Sequence, residues 1–162
     1  MEFLDQVKEL ALNLFGKETD RFGNRLEELN YIADECFSRG GRYVDFANIL
    51  GKTITKITGA EVEGKYILFE CSDGSKYLMF HQQDCCEDVY IEDICGDVKN
   101  LIGYPLLKAE EASNKEDISS EDDYSVTWTF YHLATIKGYV DIRWYGTSNG
   151  YYSEEVGFAK VK

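Results

Sequence analysis

Hydrophobic positions follow two different periods along this chain. In residues 2–15, Phe3, Val7, Leu10 and Leu14 fall on one stripe, with Leu4 and Ala11 beside it. That spacing predicts an amphipathic helix, and Gly16 supplies its stop. A second helix is expected from Asp20 to Ser38, where Phe22, Leu26, Leu29, Ile32, Ala33, Cys36 and Phe37 keep helical spacing up to Gly40-Gly41. Cys36 sits on that apolar stripe, where a thiol packs as a small hydrophobe.

Beyond Gly41 the period shortens to two. Thr53–Thr58, Tyr66–Cys71, Lys76–His81, Val89–Ile94 and Leu106–Glu110 read as strands. Ser72-Asp73-Gly74 turns the second of these into the third. Asp45–Leu50 and Asp97–Ile102 read as helical turns. The stretch S-V-T-W-T-F-Y-H-L-A-T-I, residues 125–136, is the longest strand expected. Val126, Trp128, Phe130 and His132 point to one side of it, and Thr127, Thr129, Tyr131 and Leu133 to the other. Lys137-Gly138 turns the chain into a strand over Tyr139–Tyr145, and Ser148-Asn149-Gly150 is a further turn. Residues 151–161 close the domain.

Strands joined by short turns pair antiparallel. The expected class is therefore α+β, with an N-terminal helical pair packed on a curved antiparallel β-sheet. A chain of 162 residues suits a single domain. Residues 1–42 form its helical segment, and 43–162 form the sheet with an acidic loop at 110–123. That loop is assigned because seven acids stand there against one lysine.

Charge narrows the function. The net charge is −13. Binding a phosphate backbone needs Lys and Arg, so direct nucleic-acid binding is not expected, and neither is an anionic membrane. A basic protein partner is expected instead. The opening M-E-F-L-D carries neither a basic leader nor an apolar core, and no apolar run has membrane-spanning length. A cytoplasmic chain with reduced thiols is expected, and five cysteines, an odd number, do not suit a disulfide framework.

Candidate chemistry concentrates in residues 71–96, which hold four cysteines and one of two histidines. His81, Asp84, Cys85 and Cys86 are the candidate ligands of a structural Zn2+, because zinc takes imidazole and thiolate donors tetrahedrally. Cys71 and Cys95 are further candidates, and Glu87 or Asp93 offers oxygen in place of Asp84. The spacing H-x-x-x-C-C matches no zincin motif and no deaminase signature. A cysteine nucleophile is disfavoured, since neighbouring carboxylates raise a thiol's pKa. His132 reads as a core or half-exposed residue, and Arg143 with Trp144 as a cation–π or ion-pair feature of the sheet. No catalytic residue and no organic cofactor site is assigned.

The stretches F-H-Q-Q-D-C-C-E-D-V-Y-I-E-D-I-C-G-D and W-T-F-Y-H-L-A-T-I-K-G-Y-V-D-I-R-W-Y-G-T-S-N-G-Y-Y-S-E resemble a family of small proteins encoded by phages and prophages of Gram-positive bacteria. The resemblance runs from about Asp45 to Phe158. It implies an inhibitor of bacterial defence of the anti-CRISPR type, acting without turnover on the RNA-guided nuclease of type II systems. Such nucleases hold nucleic acid in positively charged channels, which an acidic protein would occupy so that DNA is not loaded. The alternative is a zinc-dependent hydrolase or nucleotide-handling enzyme acting on a defence signal, with Glu87 as its acid-base group.

Overall fold

Runs rich in aromatic and branched residues, broken by Gly and Asp, give this chain its strands. The computed structural model of the protein describes residues 40–118 and 124–161. Among them lie nine strands: β1 (Arg42–Tyr43), β2 (Ile54–Thr58), β3 (Tyr66–Cys71), β4 (Lys76–Phe80), β5 (Asp88–Cys95), β6 (Lys108–Ile118), β7 (Tyr124–Thr135), β8 (Gly138–Ser148) and β9 (Gly157–Val161). Single-turn 3-10 helices occupy Phe46–Ile49 and Val98–Leu101.

The strands form two antiparallel sheets, a five-stranded one ordered β1-β9-β4-β3-β2 and a four-stranded one ordered β5-β8-β7-β6. The turn between β3 and β4 is set by its residues. Asp73 accepts hydrogen bonds from the Ser75 amide and hydroxyl, and Gly74 takes the left-handed φ of 84° that a side chain would resist. The Lys52 ammonium beside Asp73, with the Ser75 bonds, holds that carboxyl well below the usual carboxylate range.

Alternation along each strand sends one set of side chains between the sheets. Ile67, Phe69, Tyr77, Met79 and Phe158 come from the five-stranded sheet, and Val89, Ile91, Tyr131, Leu133, Ile142 and Trp144 from the four-stranded one, in one core. The Trp144 indole N–H donates to Met79 Sδ at 3.3 Å across it. Phe46, from the first 3-10 turn, sets its ring edge-on to both Tyr131 and Phe158, with centroids 4.7 and 5.0 Å away. The opposite side of the five-stranded sheet carries its own buried cluster of Leu68, Leu78, Phe80, Ala159 and Val161.

The α+β expectation is corrected: the described residues are all-β, with no α-helix among them. The helices expected over 2–15 and 20–38 lie outside the described residues. A single curved sheet is also overturned. Short turns do link β3 to β4 and β7 to β8, within one sheet each. The longer segments 81–87 and 149–156, however, carry the chain from one sheet to the other.

The acidic stretch that opens the expected loop 110–123 is strand β6 as far as Ile118. Among the described residues it pairs with β7 on one side only. An edge strand tolerates a dense row of charges because solvent stays within reach, and those charges deter pairing with another copy.

Candidate functional site

Two features gather reactive or recognition side chains. The first is the crossover 81–87. His81 is buried at the end of β4. Its Nδ1 lies 2.7 Å from the Glu155 carbonyl, and its Nε2 lies 2.9 Å from Glu87 Oε1. A carbonyl only accepts, so Nδ1 is the donor to Glu155, and Glu87 Oε1 also accepts the Asp84 amide at 2.6 Å. Glu87 Oε2 accepts the Cys85 amide at 3.0 Å. Burial pushes the Glu87 carboxyl up. The Asp84 N–H, the His81 ring and the Cys85 N–H outweigh it and hold the carboxyl below its usual range. The loop is thus closed on a buried carboxylate.

His81, Asp84, Cys85 and Cys86 do come together here, but their donor atoms do not converge. Both His81 nitrogens are committed. Cys85 and Cys86 are joined to each other as a disulfide, where reduced thiols were expected. Asp84 faces solvent. Cys71 is buried on β3 and Cys95 is exposed on β5, each a free thiol. Among the described residues no cluster of three His, Cys, Asp or Glu is placed to hold a metal. A zinc ion on these residues would require Cys85 and Cys86 to be reduced and His81 to turn away from Glu87.

The second crossover, 149–156, is locked by Glu154. This buried carboxylate accepts hydrogen bonds from Ser148 Oγ at 2.7 Å, Thr127 Oγ1 at 2.8 Å and Ser125 Oγ at 3.1 Å. Gly146 makes room for it, since a Cβ there would stand 2.9 Å from Glu154 Cβ.

The second feature is the outward face of the four-stranded sheet. Register lines its side chains in rows across the strands. One row runs Tyr90, Tyr145, Trp128, Asn114, from β5 through β8 and β7 to β6. The Tyr90 and Tyr145 rings stand 5.5 Å apart, and Tyr145 and Trp128 5.9 Å apart. The next row sets Glu92 and Asp93 beside Arg143, then Phe130 and Ala112. Arg143 Nε donates to Glu92 Oε2 at 2.7 Å, with Asp93 4.0 Å from the same guanidinium. The third row is Cys95, Asp141, His132 and Glu110. His132 Nδ1 lies 2.6 Å from Asp141 Oδ1, and its ring stacks on Phe130.

Lys65 shows what this face can hold. Its ammonium lies 5.3 Å from the centroid of Tyr90 and 2.7 Å from Asp88 Oδ1, at one end of the aromatic row.

Alternation in β7 already placed Trp128, Phe130 and His132 on one side. What sequence reasoning missed was Tyr90 and Tyr145, because only strand order and register bring them alongside. Of the pair read as one sheet feature, Arg143 faces outward to Glu92 while Trp144 points into the core. No helix among the described residues is long and apolar enough to cross a membrane.

Residues 47–158 match the family model described as a domain of unknown function (DUF7448), and the chain belongs to that family. No curated protein and no solved structure matches it.

Proposed function

We propose that this member of the family is a binding module whose working surface is the outward face of the four-stranded sheet, and that its partner is a basic protein surface. One observation carries this reading. Asp88, Glu92, Asp93, Asp141 and Glu110 share that face, and the bases standing on it among the described residues, Arg143, Lys108 and Lys65, are already engaged by Glu92, Glu110 and Asp88. The uncompensated charge there is negative. Opposite charge steers a partner in and fixes its orientation.

The resemblance names the partner to test first, the RNA-guided nuclease of type II systems in the bacterial cytoplasm. An acidic face seated in its positively charged channel competes with the DNA that the channel accepts. Inhibition is stoichiometric and weakens with salt.

Pull-down of the nuclease at low and high salt tests this reading, beside a DNA-loading assay. Expected is one-to-one capture, lost in the Asp93→Lys, Asp141→Lys double variant. Capture indifferent to both salt and charge reversal overturns it. Inhibition at far less than one protein per nuclease means turnover, and returns the enzyme reading to the front.

A further inference from the structure

The acidic face carries more than charge. Along its middle runs the row Tyr90, Tyr145, Trp128, all half-buried and in mutual ring contact. Aromatic side chains are held in this way in a core; here they stand on a sheet face turned away from it. Tyr, Trp and Arg are the residue types on which binding energy concentrates, and Arg143 stands in the adjoining row.

The first ring of the row is already in use. The Lys65 ammonium sits over Tyr90 and is bonded to Asp88 and to the Val89 carbonyl, 3.3 Å away. An aromatic face attracts a cation through its quadrupole, and the apolar stem of the side chain packs on the ring. Tyr145 and Trp128 continue the same row, with the carboxylates of Glu92 and Asp93 in the row beside them.

We infer that Tyr145 and Trp128 form a receiving site for lysine and arginine side chains of the partner, repeating what Lys65 does on Tyr90. This inference rests on the reading that the partner is basic, and adds that recognition is made by rings and not by charge alone. Charge complementarity selects the occupant. A nucleic acid offers bases that stack on aromatic rings, but its phosphates are repelled by the surrounding carboxylates. A neutral saccharide, which also stacks on rings, leaves those carboxylates without a counter-charge.

The test uses the full-length protein and two-dimensional NMR, in which the Trp128 and Trp144 indole signals report separately. Trp144 is buried against Met79 and serves as the internal control. The probes are hexa-arginine, hexalysine and a neutral hexasaccharide. With either cationic peptide, the Trp128 indole and Tyr145 signals move while Trp144 stays. Trp128→Ala weakens binding about tenfold, the scale of one desolvated cation–π contact.

Peptide binding that leaves Trp128 and Tyr145 unmoved, with the variant unchanged in affinity, overturns the ring site and leaves the basic-partner reading intact. Absence of peptide binding even at low salt sinks both. Saccharide binding that moves Trp128 while the peptides do not assigns the row to another ligand class and also overturns the inference. Trp128→Phe, which keeps a ring, retains most of the affinity. Equal loss in the Phe and Ala variants would show that only packing had been disturbed.

Discussion

At the scale of the residue, Glu87 organises more of the molecule than its place in a polar loop suggests. Its side chain is fully buried, and it takes hydrogen bonds from two backbone amides and from His81. Replacing it with Ala leaves those donors unpaired in the interior, at a cost of about 3 kcal/mol. Chemical denaturation of Glu87→Ala against the parent measures this. The folded-state pKa of Glu87 is depressed below its ordinary 4.5. Its contribution to stability is therefore complete above that pH and is lost as pH falls through the lower, folded value. Unfolding free energy measured between pH 6 and 3 should decline less steeply in Glu87→Gln, which has no proton to take up. Gly146→Ala brings a methyl group against Glu154, 2.9 Å from its Cβ and 3.1 Å from its carbonyl oxygen, with Val89 Cγ2 3.3 Å away. A loss of about 2 kcal/mol is expected, read as a lower thermal midpoint.

At the scale of the element, β6 is the instructive case. Its sequence K-A-E-E-A-S-N-K-E-D-I has almost nothing apolar. It nevertheless pairs with β7 along its whole length, from Lys108 opposite Ala134 to Ile118 opposite Tyr124. On an antiparallel edge only alternate amides face the neighbouring strand. Amide exchange should therefore alternate between slow and fast through residues 109–117, and uniformly fast exchange would mean a loop after all.

Composition pointed to a loop because seven acids look like a solvated stretch. The partner strand, not local propensity, makes it a strand. By contrast β3, β4, β7 and β8 were legible, since β3 and β4 are short apolar runs, β7 and β8 alternate, and their turns are written in Asp-Gly and Lys-Gly. The candidate site was half legible. The cluster of His81 with Cys85 and Cys86 was visible as a concentration of residue types. That Glu87 would claim the histidine depends on how the loop folds back, which spacing does not encode. The aromatic row was invisible for another reason. Tyr90 and Tyr145 are 55 positions apart, and only the sheet order β5-β8-β7-β6 makes them neighbours.

At the scale of the whole molecule, net charge opposes compactness. A chain at −13 repels itself, and mobile ions relieve that repulsion. Its thermal midpoint should rise by several degrees between 10 mM and 300 mM sodium chloride, while its affinity for a basic partner falls over the same range. Opposite trends in one titration separate the self-energy of the fold from the attraction it offers.

The order β1-β9-β4-β3-β2 has a consequence during synthesis. The strand that separates β1 from β4 is β9, and it leaves the ribosome after every other strand described. Until residues 157–161 emerge, β4 keeps an open side carrying Leu78 and Phe80, and β1 has no neighbour. The five-stranded sheet therefore closes only once β9 is available, and a nascent chain stalled before Gly157 is a natural client for a chaperone that recognises apolar strand edges.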